Sequence, residues 1–308
     1  MPRLAPHNVL LGVSLITATA FAISVQDVVF KLFSSEMTLW QIFALRGCFA
    51  VPALVLIAVI KHPDTGVLRA AFGKWPVLRA LFITGTFLAF YAALPFLSLS
   101  TVGAANYTAP IFVTLLSAYA LKEPVRVLGW LGVLLGFVGV LILLQPGAEG
   151  FSFWAVLPVF GAFLYALAHV ITRAKCQDVP LAALSLAQNS MMLLAGCAVS
   201  LLLIVHPITS DLAETTPYIF GSWSAVASSD WLVLVLLAGF AVVLGLMLAG
   251  AYKAAPPAIV ATFEYSYLVF VAAWDILFFG VALGMSTVAG MVLIVLAGIL
   301  VLRQGPSA

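Results

Sequence analysis

The chain has 308 residues, of which 64% are hydrophobic and only 8% charged, with a net charge of +2. Globular domains carry about a quarter charged residues, so this composition cannot cover a water-facing surface and a soluble fold is excluded. The net charge itself says little, because in such a chain the distribution of charge matters more than its sum, and no nucleic-acid partner is expected.

Apolar runs of about 17–25 residues, each long enough to span a bilayer, recur along the whole length. Hydropathy and its breaks predict ten spans, at 9–32, 38–60, 76–97, 103–121, 127–144, 153–172, 181–205, 231–252, 257–279 and 284–302. The expected fold class is therefore all-α integral membrane with ten transmembrane helices. The first apolar run continues well past the length of a signal-peptide core, so it reads as a retained first span.

That first span carries Asp27 and Lys31. A charge at membrane depth costs at least about 2.5–3.5 kcal/mol, so it is paired, turned inward and functional as a rule. The two lie one helical turn apart, on one face, where they can pair. For Lys31 the alternative is an interfacial ion pair, its ammonium snorkelling to the headgroups. Asp27, with Gln26 beside it, reads as functional.

The basic residues orient the chain. With a cytoplasmic N-terminus, the inner segments hold Arg3, Lys61, Arg69, Lys74, Arg79, Lys122, Arg126, Arg173, Lys175, Lys253 and Arg303. The remaining two, Lys31 and Arg46, lie within spans, and the outer loops hold Glu36, Glu149, Asp211 and Glu214. The positive-inside rule then places both termini in the cytoplasm. Residues 64–75 space Val67, Leu68, Ala71, Phe72 and Trp75 as a short interfacial helix. The longest outer connection, 206–230, carries Tyr218, Phe220 and Trp223, aromatics suited to the membrane interface.

Residues 145–152, with Pro146-Gly147 and Glu149, divide the chain into 1–146 and 147–308. Each half holds five spans. If the halves are homologous, an odd span count makes them sit upside down relative to each other, as an inverted repeat. An offset of 142 lays Asp27 on His169, Lys31 on Arg173 and Arg46 on Gln188. An offset of 158 lays Asn106 on Glu264 and Gly132 on Gly290. Rare polar residues falling on rare polar residues carry this pairing.

Inversion turns the list into geometry. Asp27 lies about 9 Å below the outer boundary, with Arg46 at similar depth and Asn106 joining them. His169, Arg173, Gln188 and Glu264 take the mirrored depth on the cytoplasmic side. Two polar clusters are expected, one near each mouth, with a midplane region flanked by Tyr91, Tyr107, Pro110, Tyr165, Tyr265 and Tyr267. For His169 the alternative is a residue of the membrane interface.

Spans five and ten contain almost nothing but apolar residues and glycine. Gly129, Gly132, Gly136 and Gly139 permit close helix approach, so these helices are expected to brace each half or to meet a second protomer. Pro52, Pro95, Pro110 and Pro158 fall inside predicted spans and permit kinks, with Pro110 as a mid-span hinge. Pro256-Pro257 starts span nine, where a missing N–H costs nothing. Cys48, Cys176 and Cys197, odd in number and widely spaced, read as small core residues.

Nucleophile elbows, HExxH, DxxD pairs, phosphate-cradling glycine loops and Cys/His metal spacings are all missing, so no cofactor or metal is expected. The alternative to a carrier is an intramembrane enzyme or lipid-handling protein using Asp27, Glu264 and His169 as acid–base groups.

Residues 109–147, APIFVTLLSAYALKEPVRVLGWLGVLLGFVGVLILLQPG, resemble the fourth and fifth helices of the EamA family of the drug/metabolite transporter superfamily. Pro110 lies mid-helix, Glu123 ends the fourth helix and the glycine ladder follows. Residues 251–270, AYKAAPPAIVATFEYSYLVF, are similar to its ninth-helix region. Asp27-x-x-x-Lys31, Arg46 after WQIFAL, and Phe263-Glu264-Tyr265 resemble a bacterial subgroup that includes riboflavin and S-adenosylmethionine carriers. The resemblance implies ten helices in a five-plus-five inverted repeat, a central cavity and transport without ATP across the inner membrane. Val281 departs from it, standing where the family often has a Glu. The acidic and aromatic residues within the spans point to a zwitterionic or cationic ring-bearing metabolite. Proton coupling is expected at Glu264, with His169 nearby.

Overall fold

A computed structural model describes residues 8–33, 37–61, 66–97, 99–145, 153–206, 208, 214, 216–279 and 284–303. Most of the expected linker, residues 146–152, lies outside them, as do Glu36, Asp211 and Val281.

Every regular element among the described residues is helical, as hydrocarbon demands of a backbone that must satisfy its own polar groups. In chain order these are α1 (Val9–Phe33), α2 (Leu39–Lys61), α3 (Val67–Ala71), α4 (Lys74–Ala93), α5 (Leu99–Asn106), α6 (Ala109–Tyr119) and α7 (Val127–Leu144). A 3-10 turn at Phe153–Ala155 leads into α8 (Val156–Lys175), followed by α9 (Leu181–Val205), α10 (Pro217–Phe220), α11 (Ser228–Ala254), α12 (Pro257–Glu264), α13 (Ser266–Phe279) and α14 (Met285–Leu302).

Side chains set several starts. Asn8 Oδ1 accepts the Leu11 amide at 3.0 Å and Thr38 Oγ1 the Gln41 amide at 3.3 Å, each satisfying one of the orphan donors of a first turn. At α11, Asp230 reaches back to the Ala227 amide at 3.1 Å, the reciprocal half of a capping box.

Nine helical segments among the described residues are long and apolar enough to cross a membrane. The expected fourth span is not one continuous helix. It is α5 and α6, interrupted at Tyr107 and Thr108. Pieces of 8 and 11 residues reach only about 12 and 17 Å, each short of a hydrocarbon core of about 30 Å. Pro110 lies in the first turn of α6, so the interruption precedes it and Pro110 itself bends no helix. Pro95 follows the end of α4. Pro52 sits inside α2, while Pro158 occupies the first turn of α8, where its ring is tolerated.

The residues form two compact units, one of 1–24, 85–178 and 247–308, the other of 25–84 and 179–246. Each takes segments from both sides of residue 146.

In the first unit α7 packs along α14. A Cβ on Gly139 would stand 2.9 Å from the Gly290 carbonyl oxygen, and one on Gly290 2.7 Å from that of Gly139, so the two backbones touch. Gly132 meets Val301 in the same seam. The small-residue face expected to brace a half or meet a second protomer is thus filled by α14 of the same chain. Leu131, Leu134, Val292 and Val295, on the other sides of these two helices, are exposed. Elsewhere in this unit Ile16, Val113, Ala166, Tyr252 and Val260 form a buried core.

In the second unit α2 packs on α9, with Gly47 against Leu193 and Gly196 against the backbone of Trp40 and Ala44. Ala50, Leu54 and Ala58 share a core with Ala183 and Leu186, and α3 adds Val67 and Ala71 to it. The short helix expected over 64–75 therefore buries one side in protein and leaves Leu68 and Phe72 exposed.

The outer connection is fastened to α2. Trp40 Nε1 donates to the Ile219 carbonyl at 2.8 Å, Gln41 Nε2 donates to the Ser224 carbonyl at 2.8 Å, and Gln41 Oε1 accepts the Ser224 amide at 3.1 Å. Gln41 is fully buried, so Gln41→Ala orphans two backbone groups at once. A loss of about 2 kcal/mol is expected, read as a lower unfolding midpoint in detergent.

Element bounds follow the sequence offsets. Adding 158 to the bounds of α5 gives those of α12, and to those of α7 gives those of α14. Adding 142 takes the end of α1 to the end of α8, and the start of α2 to the start of α9.

Candidate functional site

In the first unit, α11 ends at Ala254 and the Pro256-Pro257 turn sends the chain back as α12. Pro256 holds φ −56° and ψ 130°, extended geometry that stops one helix while Pro257 opens the next. This hairpin brings Tyr252 of α11 to Glu264, the last residue of α12.

The Glu264 carboxylate is held by two phenols. Tyr165 Oη and Tyr252 Oη both donate to Oε1, each at 2.7 Å. Tyr252 is fully buried, whereas Tyr165 and Glu264 are half-buried. Among the described residues Oε2 accepts no hydrogen bond, and no cation lies within ion-pair distance of the carboxylate. A carboxylate at this depth is expected to be matched by donors or by positive charge; here the described residues supply two O–H donors, both on one oxygen.

Tyr165, His169 and Arg173 follow at four-residue intervals, so α8 presents them in one column. The His169 ring stacks on Tyr252 with centroids 3.9 Å apart, and lies 4.2 Å from the Tyr165 ring. One turn further, Arg173 Nε donates to Glu123 Oε1 at 3.0 Å and Nη1 to the Lys253 carbonyl at 2.7 Å. Gln177 Nε2 donates to the same carbonyl at 3.4 Å, and Ser117 Oγ to Glu123 Oε2 at 3.4 Å. Arg173 is fully buried and Glu123 only 6% exposed. The column thus runs from a carboxylate held by hydroxyls to a buried ion pair.

Two interruptions adjoin the site. α12 gives way to α13 at Tyr265, and α5 to α6 at Tyr107 and Thr108. Tyr265 Oη donates to the Tyr107 carbonyl at 3.4 Å, their rings 6.0 Å apart. Asn106 ends α5 with Oδ1 buried and without a hydrogen bond among the described residues.

The sequence expectation is thereby redistributed. Tyr165, His169 and Glu264 come together, joined by Tyr252, and Tyr107 meets Tyr265. Gln188, expected with that group, accepts from Arg79 Nη1 at 3.1 Å in the second unit. Asp27 and Arg46 are half-buried there, and the Arg46 guanidinium sits 4.7 Å from the Phe43 ring centroid. The Lys31 side chain lies outside the described residues. Tyr91 contacts Phe87 and Phe90 on α4.

Sequence reasoning missed Tyr252, the burial of Arg79 and the partnership of Glu123 with Arg173. Tyr252 near a span end reads as an interface aromatic; the Pro-Pro hairpin was the signal that it faces α12. Arg79, among the counted inner cations, is 1% exposed, and nothing in its local sequence marks that.

Membrane-length helices, interrupted beside a buried polar centre that the protein itself satisfies on one side only, define a multi-pass membrane protein of the transporter class. Residues 10–145 match the EamA-like transporter family. The chain is 26% identical over 302 residues to a riboflavin transporter of Rhizobium johnstonii, covering 97% of this chain and 93% of that protein. A riboflavin transporter of Vibrio cholerae is 41% identical over 59 residues, spanning 19% of this chain and only 20% of the relative's length. An S-adenosylmethionine uptake transporter of Rickettsia bellii is 22% identical over 163 residues, 53% of this chain and 55% of that protein. A solved crystal structure shares the fold with a TM-score of 0.74 at 17% identity, over 96% of this chain and 99% of the other.

Proposed function

We propose that the protein is a secondary, ATP-independent carrier that moves a small organic metabolite across the bacterial inner membrane by alternating access. The observation that carries this reading is Glu264, half-buried at a helix interruption, with one oxygen held by Tyr165 and Tyr252 and the other without a hydrogen bond among the described residues. Carriers place cargo and coupling groups at such discontinuous helices. The names of the relatives in Rhizobium johnstonii and Rickettsia bellii support riboflavin-like or S-adenosylmethionine-like cargo.

The same reading makes 1–146 and 147–308 two inverted five-span repeats, with ten spans and both termini cytoplasmic. Its support is the matching of helix bounds at offsets of 142 and 158, together with the packing of offset-related partners: α2 on α9 and α7 on α14. In this scheme Asp27, Lys31, Arg46 and Gln188 in the second unit, and Asn106, His169 and Glu264 in the first, are the gating groups. Tyr91, Tyr107, Tyr165 and Tyr265 line the path, and the interruption just before Pro110 is the hinge. Proton exchange at Glu264, among Tyr165, Tyr252 and His169, couples the cycle; flux indifferent to pH and to uncouplers in both wild type and Glu264→Gln removes that part.

Reconstituted vesicles test the whole. Saturable, ATP-free flux with counterflow is expected for riboflavin or S-adenosylmethionine. Glu264→Gln is expected to lower it roughly tenfold or more at an unchanged unfolding midpoint, with smaller losses for Asp27→Asn and Arg46→Ala. Covalently altered cargo would make the protein an enzyme, and flux without saturation or counterflow a channel.

A further inference from the structure

We infer that the Glu264 centre is the subsite for a planar nitrogen heterocycle, whose ring or exocyclic N–H donates to Glu264 Oε2. This rests on the carrier reading and names its cargo class.

Both phenols converge on Oε1. Two donors on one oxygen fix the plane of the carboxylate and leave Oε2 as the acceptor on offer. An ionised carboxylate only accepts, so whatever completes it brings an N–H or O–H. Tyr252 and His169 are fully buried and stacked, and therefore rigid. Glu264 and Tyr165 are half-buried and joined by a hydrogen bond of 2.7 Å. The reachable surface is thus a fixed acceptor beside an aromatic ring. A flat ring with an N–H on its edge satisfies both, stacking on one and donating to the other.

An organic cation would meet the same carboxylate through charge and the same ring through its π face. The cargoes named for the relatives in Rhizobium johnstonii and Rickettsia bellii separate the two chemistries. Riboflavin is uncharged and S-adenosylmethionine is a cation, yet each carries a flat heterocycle with N–H groups. The heterocycle is what they share.

The test uses the purified full-length chain in detergent and reads binding by the shift in unfolding midpoint. The probes are riboflavin and its imide N-methyl derivative, adenosine and N6,N6-dimethyladenosine, and tetraphenylphosphonium. The N–H member of at least one pair is expected to bind about tenfold or more tightly than its methylated partner, because methylation leaves a desolvated acceptor unmet. In Glu264→Gln the phenols hold the amide oxygen and turn its NH2 toward the ligand, where donor opposes donor. The preference is expected to collapse there. Should that variant not fold, Tyr165→Phe reports instead: it releases one of the two donors, and the preference is expected to narrow.

Equal binding of both members of each pair by the wild type overturns the assignment. So does binding of tetraphenylphosphonium alone, binding of no heterocycle, or a preference that survives Glu264→Gln intact. If vesicles still show saturable counterflow of some other metabolite, only the cargo class has failed; if no saturable flux exists for any cargo, the carrier reading itself has failed.

Discussion

Glu123→Ala is expected to lower the unfolding free energy by about 3 kcal/mol, the lower end of what removing one member of a buried ion pair costs. The Arg173 guanidinium it abandons is fully buried. A carbonyl, that of Lys253 at 2.7 Å, stays in contact, so a neutral acceptor remains but no negative charge at the 3.0 Å now spanned to Glu123 Oε1. Removing the carboxylate takes that counter-charge from a buried guanidinium; removing both groups strands neither. The double variant Glu123→Leu with Arg173→Met is therefore expected to recover most of the loss, since apolar replacement of a buried pair is often neutral. Denaturant titration in detergent of the two singles and the double gives the coupling directly. Losses that simply add would mean that the two groups do not stabilise each other.

The pair also has a functional reach. Arg173 and Gln177 both hold the Lys253 carbonyl, and Lys253 follows Tyr252, whose hydroxyl fixes Glu264. The double variant, even with stability restored, keeps only the longer of these two hydrogen bonds, that from Gln177, and so weakens the anchor that positions Tyr252. Its flux is expected to stay below that of the wild type, whereas a purely structural pair would return full flux.

How much of this was legible in the sequence depended on what kind of signal each feature leaves. Span positions were, because hydrocarbon imposes a length and a composition on every crossing helix. Most helices, such as α7 over Val127–Leu144 and α9 over Leu181–Val205, match their predicted ranges closely. The interruption of span four was not, because Tyr107 and Thr108 carry no breaker and the eye goes to Pro110, which instead starts α6. Glu264 stood out because a carboxylate is rare at that depth, but its partners did not. Tyr165 lies 99 residues away, and pairing at that distance is written in packing alone. Gln188 shows the same limit. The offset that pairs it with Arg46 says nothing of Arg79, with which it bonds. The glycines of α7 were legible as a close-approach face, yet not whether a neighbouring helix or a second protein fills it.

Gly136 shows what that filling does for the site. It faces Tyr265 rather than solvent or lipid, and a Cβ placed on it would stand 2.5 Å from both Cδ2 and Cε2 of that ring. Real Cβ atoms do not come so close, so something must move. The Tyr265 ring is fully buried and its hydroxyl reaches the Tyr107 carbonyl, which leaves it no free direction in which to swing. Gly136→Ala is therefore expected to cost about 1–3 kcal/mol by overpacking. Because Tyr265 follows Glu264 directly, the displaced ring also drags the interruption that presents the carboxylate. Flux is expected to fall further than the loss of folded protein accounts for. Gly103→Ala is the control, since its nearest neighbour would be Leu144 Cδ1 at 3.6 Å, an ordinary contact, and helix propensity favours alanine by about 1 kcal/mol. Combining Gly136→Ala with Tyr265→Leu removes the colliding ring atoms. That pair is expected to regain stability without regaining flux, because what α7 supports at this point is the placement of Glu264. Equal recovery of both would reduce Gly136 to a packing residue, and normal flux in Gly136→Ala alone would detach α7 from the site altogether.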